Sequence, residues 1–169
     1  MAKVLIVVDV QNYFVNEHTA TLPAKIAKYL NEHSFPHILF TRTVNHPNSF
    51  FVKRLGWKKC FETPEIDIHE TLLPFAKQAV IFDKATYSIF KYAPLLQFLR
   101  KNEIQKMSLC GIDTDACILA SAYDGFDLGY EVSILSELTA SHYGEVFMEA
   151  ALKIIRKNLV KSTRGQVSC

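Results

Sequence analysis

The chain has 169 residues, 49% of them hydrophobic and 21% charged, and a formal net charge of +2. That length suits a single domain over residues 1–169 that buries its core without disulfides or a structural metal, and the composition excludes a disordered, collagenous or cysteine-stapled chain. The mild charge gives no reason to expect nucleic acid or an anionic membrane as a partner.

The first apolar run, Val4 to Val8, is rich in β-branched residues and predicts a buried strand that stops at Asp9. It is too short for a secretory core or a spanning helix, so neither a leader nor a membrane segment is expected. Thr21 to His33 predicts a helix, with Pro23 in its first turn and Leu22, Ile26 and Leu30 near one face. Pro36 breaks it, and His37 to Thr41 predicts a second strand. From Arg42 to about Glu70 the pattern is irregular, with Pro47, Gly56 and Pro64. Loops this long are often functional.

Ala79 to Phe82 predicts a third strand, Pro94 to Lys101 a helix, and Lys106 to Cys110 a fourth strand. Ala116 to Leu128 predicts a helix ended by Gly129, Tyr130 to Leu135 a fifth strand, and Glu145 to Leu159 a last helix. Leu159 to Lys161 is a candidate sixth strand. Alternating strands and helices predict an α/β fold: right-handed βαβ units in a parallel sheet covered on both faces. In such sheets ligands bind beyond the carboxyl ends of the strands, where the strand order reverses. The four cysteines, Cys60, Cys110, Cys117 and Cys169, form no CxxC pair. They predict reduced thiols and a cytoplasmic protein.

Three polar residues are predicted at such strand ends. Asp9 ends the first strand, Lys84 follows the third by two positions, and Cys117 lies in the turn and helix start after the fourth. A thiol attacks as thiolate, which a lysine cation and a helix N-terminus favour. A carboxylate in reach can take the thiol proton and return it to a leaving amine. The tight turn after Gly111 can aim backbone N–H groups at a developing oxyanion. Taken singly, Cys117 is a packing residue, Asp9 a cap and Lys84 a surface lysine; their coincidence at strand ends points to covalent catalysis.

Phe50, Phe51 and Trp57 in the long loop, with Phe14, Tyr87 and Tyr123, suit a flat or apolar acyl group. Phe14, Trp57 and Tyr87 are the expected substrate contacts. The Ser49-Phe50-Phe51 stretch, followed by Lys53, Arg54, Lys58 and Lys59, fits a lid or an oligomer contact. Arg42 either binds a carboxylate or pairs with a surface acid. Phosphate loops, dinucleotide fingerprints, zinc-protease motifs and the serine nucleophile elbow are absent. A serine triad would have to use His142 with an unmarked serine.

Several segments together resemble the isochorismatase-like cysteine hydrolases, which include nicotinamidases and N-carbamoylsarcosine amidases. They are Val7-Val8-Asp9-Val10-Gln11-Asn12-Tyr13-Phe14, Phe40-Thr41-Arg42, Lys84-Ala85-Thr86-Tyr87-Ser88-Ile89-Phe90, and Cys110-Gly111-Ile112-Asp113-Thr114-Asp115-Ala116-Cys117. Ala122, Asp124 and Gly129-Tyr130 extend the last of these. The resemblance implies a three-layer α/β/α sandwich around a doubly wound, six-stranded parallel sheet. It implies a triad of Asp9, Lys84 and Cys117 that hydrolyses a non-peptide C–N bond of a small amide-type molecule through an acyl-enzyme. It implies a cis peptide at Ile112-Asp113, with the N–H groups of Asp113 and Cys117 as the oxyanion hole, and a homo-oligomer. The retained Cys117 favours amide hydrolysis over vinyl-ether cleavage. Nicotinamidases also hold a metal through an Asp-x-His pair after the second strand and a later histidine. Here that region reads Thr43-Val44-Asn45-His46-Pro47, with His69 farther on, so neither metal nor other cofactor is expected. Two rivals remain open: a non-catalytic member that binds a metabolite or partner, and a redox-sensing Cys117 with Cys110 as its resolving thiol.

Overall fold

The computed structural model describes residues 2–160. The strands are β1 (Ala2–Val8), β2 (His37–Thr43), β3 (Val80–Lys84), β4 (Ile104–Ile112) and β5 (Glu131–Ala140). They form one sheet in the order β3-β2-β1-β4-β5, and every neighbouring pair is parallel. The helices are α1 (Leu22–Glu32), α2 (Phe50–Leu55), α3 (Leu73–Ala76), α4 (Ala93–Lys101), α5 (Leu119–Asp127) and α6 (Glu145–Leu159).

The period of two in a strand divides the core. Leu5 and Val7 of β1 join Phe40, Cys110 and Ile112 in a cluster closed by Leu22, Ile26 and Leu30 of α1. Val4, Ile6 and Val8 face the other way, into a cluster with Leu39, Met107 and Leu109, closed by Leu95 and Leu99 of α4. On that second side α5 approaches so closely that a Cβ at Gly125 would sit 2.6 Å from the Val132 side chain and 2.9 Å from Phe90. Both faces of the sheet are thus covered, which is why β1 reads as a continuous apolar run.

From β1 the chain winds outward through β2 to β3, then returns to place β4 on the other flank of β1. The reversal leaves a crevice beyond the carboxyl ends of β1 and β4. Two backbone features shape it. Asp9 takes a left-handed conformation, φ 52°, that turns the chain sharply off β1. At Gly111, φ 119°, β4 presses against β1 so tightly that a Cβ would lie 2.1 Å from the Val8 carbonyl oxygen. The Ile112–Asp113 peptide bond that follows is cis.

The sheet has five strands among the described residues, not the six implied by the resemblance. Of the candidate sixth strand, Leu159 ends α6, Val160 carries no strand pairing, and Lys161 lies outside the described residues. The fourth and fifth strands run longer than predicted, and Lys84 is the last residue of β3 rather than two beyond it. The predicted helix from Ala116 begins instead as a π-helical turn over Thr114–Ile118 and becomes α-helical only at Leu119. The irregular stretch after Arg42 contains α2, capped by Ser49 Oγ, which accepts from Val52 N–H at 3.2 Å, and closed by Gly56 at φ 68°.

Two glycine substitutions separate clash from conformational cost. Gly111→Ala is expected to destabilise the protein by about 3 kcal/mol or more, because backbone must move apart. Gly56→Ala, whose added Cβ meets nothing within 4 Å, should cost only about 1–2 kcal/mol. Urea unfolding midpoints of the two variants check this.

Candidate active site

Asp9, Lys84 and Cys117 meet at the ends of β1, β3 and β4. Lys84 Nζ donates to Asp9 Oδ2 at 2.6 Å, and both side chains are 1% exposed. The same ammonium donates to Thr43 Oγ1 at 3.1 Å and to the Thr86 carbonyl at 2.9 Å, and reaches Cys117 Sγ at 3.5 Å. Asp9 is further held by Thr41 Oγ1, which donates to Oδ1 at 2.7 Å, and by Thr43 Oγ1, which donates to Oδ2 at 2.9 Å. Thr41 and Thr43 are alternate residues of β2, so both point to the same side as Asp9 beside them.

Cys117 is fixed from behind. Ser121 Oγ donates to the Cys117 carbonyl at 2.6 Å and accepts from the Ile89 N–H at 3.1 Å, tying the turn after β3 to the start of α5. Burial pushes the Cys117 thiol well above the ordinary range; the Lys84 charge pulls it down, and Asp9, including a hydrogen bond with the thiol, pushes it up again. The lysine and the helix start therefore do not act on the sulfur alone: burial and the Asp9 charge oppose them. For Lys84, burial disfavours the ammonium, but Asp9 and Cys117 more than offset this and its pKa is raised.

Above the sulfur opens a cavity of about 680 Å³. Each of the three expected substrate contacts, Phe14, Trp57 and Tyr87, lines it, as do Phe51 and Leu55 of α2, Tyr123 of α5 and Tyr143. The rings brace one another: Trp57 Nε1 donates to Tyr13 Oη at 3.2 Å, and Phe51 meets Trp57 and Tyr87 edge-on at 5.4 and 4.9 Å. Asp9 and Lys84 lie behind Cys117, outside this lining.

The opposite wall holds a pair that sequence reasoning missed. Asp113 Oδ1 accepts from the His142 backbone N–H at 2.8 Å, and its Oδ2 lies 2.6 Å from His142 Nδ1. Burial raises the Asp113 pKa against the opposing effect of these His142 contacts. His142 follows β5 by two residues and so meets the strand-end criterion. The signal was hidden because the predicted strand stopped at Leu135.

Other candidates go elsewhere. Arg42 binds Asp83 with two hydrogen bonds, Nε at 2.7 Å and an Nη at 2.8 Å, across the β2–β3 register. Cys110 packs in the core cluster on the α1 side of the sheet and Cys117 in the cluster on the other side. Cys169 lies outside the described residues.

The residues after β2 do not fit the nicotinamidase type of metal. The Asp-x-His pair is absent there, and the Asn45 side chain is committed to the loop. Its Nδ2 donates to the Trp57 and Lys59 carbonyls, each at 3.1 Å, and its Oδ1 accepts from the His46 N–H at 2.9 Å and Ser49 Oγ at 2.5 Å. His46 is exposed, His69 accepts from the Thr71 N–H at 3.4 Å, and no group of three or more metal-ligating side chains occurs among the described residues.

The isochorismatase domain family matches the chain over residues 3–166. The nicotinamidase/pyrazinamidase of Mycobacterium tuberculosis is 29% identical over 160 residues, 82% of this chain and 86% of that protein. Among solved structures, an isochorismatase-like hydrolase from Alkaliphilus metalliredigens superposes with a TM-score of 0.82 at 22% identity, covering 93% of this chain and 92% of its own. A pyrazinamidase/nicotinamidase from Streptococcus mutans gives 0.79 at 24%, covering 92% and 96%. None of the described helices is long and apolar enough to cross a membrane.

The buried thiols make alkaline pH destabilising. Burial moves Cys60 from 9.0 to about 12 and moves Cys110 and Cys117 upward as well. The folded state then holds protons that the unfolded chain releases above about 9, so the stability they confer is complete below that pH and falls as pH rises toward the folded values. Unfolding free energy, measured across that window, should decline, and Cys60→Ala should flatten the slope.

Proposed function

The chain belongs to the isochorismatase family of hydrolases, and from that membership we propose that it hydrolyses the C–N bond of a small amide-type molecule with Cys117 as nucleophile. The observation that carries this reading is the reach of one ammonium, Lys84 Nζ, to both the Asp9 carboxylate and the Cys117 sulfur at the floor of an aromatic cavity. The relatives named nicotinamidase/pyrazinamidase support amide chemistry.

In this scheme Cys117 Sγ attacks the substrate carbonyl carbon as its proton passes to Asp9. The carbonyl oxygen becomes an oxyanion, which the backbone N–H groups of Asp113 and Cys117 receive. The C–N bond then breaks, the proton held on Asp9 goes to the departing nitrogen, and ammonia or an amine leaves a thioester on Cys117. Water attacks that thioester, Asp9 takes its proton, and collapse returns the thiol and a carboxylic acid. Lys84 holds Asp9 in place, and it steadies the sulfur while it carries charge. No step passes through a metal, since the loop residues do not fit one.

Phe14, Trp57 and Tyr87 enclose the acyl group. Cys117→Ala is expected to lower turnover of an amide substrate at least about a thousandfold while leaving the folded state intact, and Asp9→Asn to lower turnover as much but also to cost stability, because it leaves the Lys84 ammonium unpaired in the interior. Ammonia release from a panel of small aryl amides, with mass spectrometry of an acyl adduct on Cys117, tests this. Panel members that bind without forming an adduct would favour a binding protein. Lys84→Met should abolish turnover and also cost about 3–5 kcal/mol of stability, by stranding the Asp9 charge in the interior.

A further inference from the structure

Resting on the reading of Cys117 as nucleophile, we propose that the acyl part of the substrate carries a positive charge: a small aryl amide bearing a quaternary ammonium or N-alkylpyridinium nitrogen. The charges around the cavity lead there. The side chains that line it include two carboxylates, Asp113 and Asp115, and neither lysine nor arginine among the described residues. Lys84, behind the sulfur, is paired with Asp9, and Arg42 is paired with Asp83.

His142 does not reverse this balance. Its Nδ1 is committed to Asp113, so a charged imidazolium makes that pair neutral and a neutral imidazole leaves it negative. Asp115 adds a second carboxyl group to the wall, with no lysine or arginine beside it among the lining residues. An anionic acyl group would meet repulsion there, with no free cation to receive it.

Asp115 adds an independent observation. Its Oδ1 is shielded from solvent and has no hydrogen-bond partner. Such an atom is costly to leave unpaired. The helix start on which it sits relieves part of the charge without donating to Oδ1. Much of the remaining wall is aromatic, with Phe14, Trp57 and Tyr87 among its rings. Ring faces beside carboxylates attract a weakly hydrated cation and give an anion nothing.

The test uses three probes that differ in the meta substituent: meta-trimethylammonio-benzamide, benzamide and meta-carboxybenzamide. Each is incubated with the unmodified protein and an acyl adduct on Cys117 is read by mass, and each is titrated calorimetrically into Cys117→Ala. The cationic probe should act at about tenfold lower concentration than benzamide, with the carboxylate weakest, and Asp115→Asn should reduce that preference at least about threefold. Equal or tighter binding of benzamide, a preference for the carboxylate, an unchanged preference in Asp115→Asn, or no binding by any probe would overturn the proposal. Because Cys117→Ala cannot turn over, the charge preference is read separately from hydrolysis. A preference for the cation without an adduct would sink only the hydrolase reading. An adduct without that preference would sink only this one.

Discussion

The ion pair between Lys84 and Asp9 is the constraint around which the site is arranged. Two opposite charges with side chains 1% exposed are tolerable only when the geometry is close and the remaining polar atoms are satisfied. Here the contact is 2.6 Å, and two threonine hydroxyls and the Thr86 carbonyl complete the shell. The pair joins the ends of β1 and β3, which are separated in the sheet by β2. The intervening strand supplies Thr41 and Thr43, so the three strand ends are held in register by polar contacts as well as by the sheet ladder.

Much of this was legible in the amino-acid order. The run Val4 to Val8 is buried on both faces and could only be a central strand, which places Asp9 at a carboxyl edge. Cys117 and Lys84 follow apolar runs of the same kind. The length of β5 was not legible. Its pairing to β4 is irregular: Leu109 stands opposite Ile134, yet Gly111 stands opposite Thr139. The extra residues break the alternation on which a sequence reading depends, so the strand seemed to end early and the Asp113–His142 contact stayed hidden. The π-helical turn at Cys117 was likewise invisible, because periodicity does not distinguish it from the first turn of an ordinary helix. The upward push of burial on the Cys117 thiol is likewise something that spacing alone does not report.

The loop after β2 shows how one position alters a site. Asn45 binds its own loop through both ends of its amide, and so brings the Trp57 and Lys59 carbonyls toward the end of β2. A carboxylate cannot donate those two hydrogen bonds. Asn45 is thus the clip that ties the loop carrying Trp57, a residue of the aromatic wall, to the end of β2.

The placement of Cys117 between the cavity and the Asp9–Lys84 pair has an evolutionary corollary. The sulfur belongs to both compartments, whereas among the described residues the proton-handling groups behind it hydrogen-bond to nothing that lines the mouth except Cys117 and Thr43. Ring residues of the wall can therefore be exchanged, and selectivity can drift between lineages, without any correlated change in the acid and the base. One inherited reactive core would then serve many different ligands.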